Sequence, residues 1–214
     1  MEYERLITDE IRVRLGGGSS PRLIHLAVDF ADVQGLQESG SWDRAGQLLA
    51  DAARRLEAAG AELVVLCTNT MHRVADEIET AIAVPFIHLA DTTAAAVRAE
   101  PCQTVALLGT RYTMEEGFYR ERLEQRGLTV LVPAASDRQT VHEVIYGELV
   151  RGVINPESRT AFRQIAERMV ERGAEGVIAG CTEIELLLTA EDVAVPYFPT
   201  TRLHALAAVD AALS

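Results

Sequence analysis

The chain reads as an α/β protein of two pseudo-symmetric lobes, each a mainly parallel sheet flanked by helices. Short apolar runs rich in β-formers alternate with segments whose apolar residues recur at helical spacing, which is the pattern of βαβ units. The two halves also echo one another. A Gly-Ala-Glu triplet, a cysteine opening a polar turn and a Val-Pro pair occur in each. Gly173 follows Gly60 by 113 positions, Cys181 follows Cys67 by 114, and Val195 follows Val84 by 111. Landmarks at nearly one offset indicate an internal duplication, with a thiol at the same structural place in both halves. The expected lobes are residues 1–97 plus 199–214, and residues 98–198.

Tyr3, Leu6, Ile7, Ile11 and Leu15 share one helical face, so the chain begins with a helix that Gly16-Gly17-Gly18 ends. Residues 22–28 predict a strand, with 29–32 at its carboxyl end and a polar stretch through Gln37 and Gly40 behind it. Ser41 is placed to N-cap a long helix reaching 59. Residues 63–66 form a buried strand, Cys67-Thr68-Asn69-Thr70 a tight polar turn, and 71–79 a helix. A short strand at 84–89 precedes an alanine-rich helix with Asp91 as its cap.

The second half opens with a strand at 104–110 that feeds residues 110–113 and another helix. A strand at 128–133 and helices near 137–151 and 156–172 lead to the apolar run 176–180 and Cys181-Thr182-Glu183. A last strand and a helix over 201–213 close the chain. Strands joined through helices give right-handed crossovers and parallel sheets.

Composition removes several classes of function. With 214 residues and 48% hydrophobic content the chain can bury a sizeable core. The first five residues carry no apolar core of a secretory signal, and no uninterrupted apolar window of about eighteen residues is present. Three cysteines do not make a disulfide framework, so a reducing cytoplasm is the expected setting. A net charge of −12 and a pI near 4.9 argue against nucleic acid and anionic membranes as partners. All 20 basic residues are arginine. Without lysine there is neither a pyridoxal phosphate Schiff base nor a Gly-Lys-Ser/Thr phosphate loop. No His, Cys and carboxylate set has metal-ligand spacing, so a small-molecule partner with neither cofactor nor metal is expected.

Two matched thiols suggest a specific chemistry. Lobes related by a pseudo-two-fold axis would aim Cys67 and Cys181 at one bound molecule from opposite sides. Inverting a stereocentre requires that a proton leave one face and another return to the opposite face, a task for two acid/base groups. A thiol with an ordinary pKa of about 8.5, lowered near a helix N-terminus, suits that task near neutral pH. Thr68, Asn69, Thr70, Thr182 and nearby backbone N–H groups are candidates to hold a carboxylate. Glu183 is placed to accept from an ammonium group or to tune Cys181. Cys102 lacks a polar turn and reads as an ordinary thiol; His25, His72 and His88 read as packing residues, and Glu77 and Glu79 as a solvated helix face. His204 is placed at the edge of the cleft.

The segments Leu66-Cys67-Thr68-Asn69-Thr70-Met71-His72, Gly109-Thr110-Arg111-Tyr112-Thr113-Met114 and Gly180-Cys181-Thr182-Glu183-Ile184 carry a family resemblance. Together with Val28-Asp29-Phe30 and Gln37, they resemble the aspartate/glutamate racemase superfamily, nearest its aspartate racemase and broad-specificity amino-acid racemase branch. The resemblance implies a cofactor-independent amino-acid racemase of two α/β lobes, usually a homodimer, with Cys67 and Cys181 as its two bases. It further implies that Asn69, Thr70, Thr110, Thr113 and Thr182 line the substrate site, with Glu183 beside it and Gln37 as a more distant candidate. Family members open with a strand and a Gly-Gly-Met-Ser-type loop, whereas residues 1–6 here resemble the helix after that loop. The first lobe is therefore expected to lack a strand. Within the superfamily a hydantoin racemase and a decarboxylase are the runner-up readings; from other classes, a racemase-like scaffold shortened at its N-terminus that only binds, and more distantly a thiol-redox protein, stand beside them.

Overall fold

The computed structural model describes residues 2–214 and divides them into two compact units. Unit 1 comprises the chain through Leu66, then Met71–His88 and Ala205–Ser214; unit 2 comprises Cys67–Thr70 and Leu89–His204. Among the described residues no helix is long and apolar enough to cross a membrane.

Unit 1 begins with α1 (Glu2–Leu15), whose Tyr3, Leu6, Ile7 and Ile11 pack on Ala205 and Val209. Leu15 does not follow its expected face and is exposed. Residues 22–28 form no strand: Leu23 and Ile24 are 48% and 49% exposed, and among the described residues no backbone hydrogen bond pairs the run with a strand. β-propensity without a neighbouring ladder is not enough to make a strand, because it mostly records packing on a pleated surface. The stretch after it is instead α2 (Phe30–Glu38), opened by Asp29, whose carboxylate accepts the Ala31 N–H at 2.8 Å. Next comes α3 (Trp42–Ala58), where Ser41 holds the N-cap position without a capping hydrogen bond. Its hydroxyl is engaged by the Ser39 hydroxyl at 3.0 Å instead.

The sheet of unit 1 is two parallel strands, β1 (Val64–Val65) and β2 (Phe86–Ile87), with Val64 opposite Phe86. Between them lie a 3-10 turn at Thr70–Val74 and α4 (Ala75–Ala81). Val33, Ala45, Leu49, Val64, Met71 and Ile78 form the core. The carboxylate of Glu57 accepts the Ala83 and Val84 N–H groups and fixes the entry to β2.

Unit 2 is a three-layer sandwich. Four parallel strands run in the order β4-β3-β5-β6: β3 (Thr104–Gly109), β4 (Thr129–Leu131), β5 (Gly176–Gly180) and β6 (Tyr197–Pro199). Side chains alternate across this sheet. Ala106, Leu108, Val177 and Ala179 face α8 (Ala135–Gly147) and α9 (Pro156–Glu171) through Val141, Ile145, Phe162, Ile165 and Met169. Val105, Leu107 and Ile178 face α5 (Leu89–Arg98) and α7 (Gly117–Gln125) through Leu89, Val97, Tyr119 and Leu123. Two short helices, α6 (Arg111–Glu115) and α10 (Ile184–Leu187), stand just beyond the carboxyl ends of β3 and β5.

The apolar face of α5 joins it to unit 2, although the sequence pattern assigns residues through 97 to the first lobe. Asp91 lies within α5 rather than before it, and pairs with Arg122 and Arg126 instead of capping the helix. The chain ends in α11 (Thr200–Leu213), which starts in unit 2 and finishes in unit 1.

The β3–β5 ladder ends at Gly109 opposite Gly180, the close approach in the sheet with consequences for function. A Cβ on Gly109 would stand 2.8 Å from the Gly180 carbonyl oxygen, and one on Gly180 would stand 2.9 Å from that of Leu108. Backbone cannot yield as a flexible side chain does. Gly109→Ala is expected to destabilise the protein by about 1–3 kcal/mol, as overpacking typically does. Urea unfolding monitored by circular dichroism measures this, and an unchanged midpoint contradicts it.

Candidate active site

Register places the site. Gly109 pairs with Gly180, and Ala179 pairs with Pro199, so Thr110, Cys181 and Thr200 all leave the sheet at the carboxyl ends of neighbouring parallel strands. This end of an open α/β sheet is where ligands bind. Thr110 N-caps α6, its hydroxyl accepting the Thr113 N–H at 3.3 Å and lying 3.2 Å from the Thr113 hydroxyl.

The first thiol turn belongs to the same unit. Cys67–Thr70 leaves β1 and clusters with unit 2, tied there by two buried hydrogen bonds. The Thr70 and Thr110 hydroxyls are 2.9 Å apart, and the Asn69 side-chain N–H donates to the Thr200 hydroxyl at 3.1 Å. Thr68 sits half-buried in the same turn. The structure thus brings together Cys67, Thr68, Asn69, Thr70, Thr110, Thr113, Cys181, Thr182 and Glu183 in one unit. Gln37 belongs to unit 1, where it is buried with its amide N–H 3.0 Å from the Met71 sulfur.

Asn69 has a defined polarity. The Thr200 hydroxyl donates to the Ala179 carbonyl at 2.7 Å, which leaves its oxygen to accept from Asn69 Nδ2. The other amide atom of Asn69, Oδ1, is then a bare acceptor on a residue only 3% exposed. Thr201 Oγ1 is likewise buried without a partner. Such orphans cost about 1–3 kcal/mol each and are relieved when a bound group supplies the missing bond. Sequence reasoning missed Thr200 and Thr201; the signal was a Thr-Thr pair where the last strand meets the last helix.

The two thiols differ in surroundings. Cys181 is 6% exposed and its Sγ–H donates to Glu183 Oε2 at 3.0 Å; the Thr182 hydroxyl donates to the same oxygen. Burial first, then the Glu183 charge and its hydrogen bond, hold the Cys181 thiol well above its ordinary pKa. Cys67 is solvent-exposed, yet surrounding protein displaces enough water to push its thiol up to about 11. The two observations agree for a recessed sulfur that water reaches but does not surround. The expectation of thiols lowered by a helix N-terminus is therefore corrected: desolvation leads at both sulfurs, and both thiols are raised.

The remaining thiol and the histidines lie elsewhere. Cys102 is buried away from these turns, its Sγ 3.8 Å from the Thr104 carbonyl oxygen. His72 is buried against His88 and Phe86, with ring centroids 4.6 and 5.7 Å away, which is a packing role. His204 is fully buried, whereas His25 is exposed. Among the described residues no His, Cys, Asp and Glu group is arranged to hold a metal ion.

Comparison with known proteins gives this geometry its relatives. The Asp/Glu/Hydantoin racemase family matches residues 1–208. The broad-specificity amino-acid racemase RacX of Bacillus subtilis is 25% identical over 146 residues, which are 68% of this chain and 63% of that protein. The match thus spans less than two thirds of that relative. A crystal structure from Yersinia pestis, described as a candidate Asp/Glu racemase, shares 47% identity at a TM-score of 0.92, over 100% of this chain and 93% of that one. An aspartate racemase homologue from Pyrococcus horikoshii shares 31% identity at a TM-score of 0.84, over 99% and 93%. With its thiol turns at the ends of parallel strands, and matched along nearly its whole length, the chain belongs to the Asp/Glu/Hydantoin racemase family.

Proposed function

We propose that the protein is an amino-acid racemase that moves the Cα proton between Cys67 and Cys181 without a cofactor. The observation that supports this most is the anchoring of the Cys67–Thr70 turn to unit 2. The bonds from Thr70 to Thr110 and from Asn69 to Thr200 put the first thiol turn in one packed body with Cys181.

The roles come from the chemistry of each group. The hydroxyls of Thr70, Thr110 and Thr113 and the amides of both turns hold the substrate carboxylate. Asn69 Oδ1, a buried acceptor without a donor, takes the α-ammonium. Cys67, the thiol that water reaches, acts as base in one direction, breaking the Cα–H bond and forming S–H. Cys181, kept protonated by burial and by Glu183, returns its proton to the opposite face of the planar carbanion; the reverse reaction exchanges the roles. The substrate ammonium favours the first thiolate, so ionisation comes after binding. A homodimer and the cytoplasm complete the reading.

In deuterated water, amino acid of either hand is expected to gain solvent deuterium at Cα. Cys67→Ser and Cys181→Ser are each expected to lower kcat by about three orders of magnitude or more, because a hydroxyl is far harder to ionise than a thiol. Mass spectrometry of the amino acid reads the exchange; full turnover in both variants would falsify the two-thiol reading.

The raised thiols set the pH dependence. A base whose pKa is near 11 is mostly protonated at neutrality, so kcat/KM is expected to climb roughly tenfold per pH unit from about pH 6 to 8.5. Polarimetry across that range measures it, and a flat profile contradicts it. Glu183→Gln removes the nearby negative charge and is expected to bring Cys181 to a lower titration point, read by ultraviolet thiolate absorbance in a Cys67→Ser, Cys102→Ser background.

A further inference from the structure

On α8, His142 faces the first residue of the turn that carries Thr110 and Thr113. The Arg111 N–H donates to His142 Nδ1 at 3.2 Å. That bond requires a lone pair on Nδ1, hence a neutral imidazole with its proton on Nε2. Arg111 is the first residue of α6, and its N–H is one of the helix's orphan donors. The same five-residue helix is capped at Thr110, whose hydroxyl meets Thr70 and Thr113. The imidazole is therefore the outer fastener of a turn whose inner side carries the threonine hydroxyls.

We propose that His142 is a positioning residue, which locks the 110–113 turn for substrate as a neutral imidazole and releases it on protonation. The role rests on the racemase reading for its substrate but not for its geometry. Imidazolium has no acceptor at Nδ1, so the Arg111 N–H loses its partner and meets a positive charge. Burial and one neighbouring cation favour the locked form against two carboxylates. His142 is half-buried, and burial, then the Arg111 guanidinium, lower its pKa from 6.5, while Glu115 on α6 and Glu143 on α8 act the other way. Arg138 on α8 ties up Glu115 in an ion pair at 2.8 Å. Tyr146 and Tyr112 pack on the ring with centroids 4.7 and 6.2 Å away and fix its plane. Release therefore belongs to the acid side of the ordinary histidine range.

Asparagine presents an acceptor near the place of Nδ1 but does not titrate, and leucine presents none. In the wild-type protein the Arg111 amide resonance is expected to follow the His142 imidazole titration, and in His142→Asn to lose that dependence. KM for the racemised amino acid should rise through the same titration in the wild type and stay level in His142→Asn. At neutral pH His142→Leu should raise KM roughly tenfold with kcat within about threefold, as loss of one fixed hydrogen bond does. An Arg111 amide that ignores the imidazole, a His142→Asn protein that keeps the acid rise in KM, or a His142→Leu protein with wild-type KM overturns the proposal. If no amino acid exchanges its Cα proton, the racemase reading fails, and the Arg111 resonance still decides the role of His142.

Discussion

The contact between Gly109 and Gly180 is the constraint on which the site depends. Side chains elsewhere in β3 and β5 set the spacing of two covered sheet faces, but at their carboxyl ends backbone carbonyl oxygen occupies the space a methyl group would need. Register then fixes the residues just beyond the strands: Thr110 and Cys181 emerge side by side, and β6 delivers Thr200 next to them. The apolar layers on both faces hold these strands flat against each other, so the position of the thiol is set by packing far from it.

From that edge the polar structure spreads by hydroxyls. Thr110 links Thr113 to Thr70, and Thr200 links the Ala179 carbonyl to Asn69. Each link uses up a donor, and the chain of donations leaves an acceptor at its end, Asn69 Oδ1. The two thiols are unequal for a related reason. One is reached by water yet partly desolvated, the other buried against a carboxylate, and both are raised.

Much of this was legible in the sequence because it is written in short-range patterns. The alternation of β-formers with helical spacing marked the elements of unit 2, and Gly-Cys-Thr-Glu and Cys-Thr-Asn-Thr marked the turns. The misreadings were where tertiary partners decide. Residues 22–28 have strand propensity and no ladder; 30–38 look polar and fold as α2 because Asp29 caps them. Asp91 resembles a cap but answers to arginines 31 and 35 positions away along the chain. Thr200 and His142 reach the turns through hydrogen bonds that span 131 and 31 residues; the Thr-Thr pair is a faint local mark of the first, and nothing local marks the second. Thiol acidity was misjudged for the same reason, since burial is a property of the packed chain.

The exposed run at 22–28 has a consequence for how these molecules behave together. It offers apolar side chains and main-chain groups bonded to no strand, which is what one chain needs to add itself to another. A net charge of −12 acts against that encounter, but over a screening length of only about 8 Å at physiological salt. Added salt, by shortening the reach of that repulsion, is therefore expected to favour association of the chains.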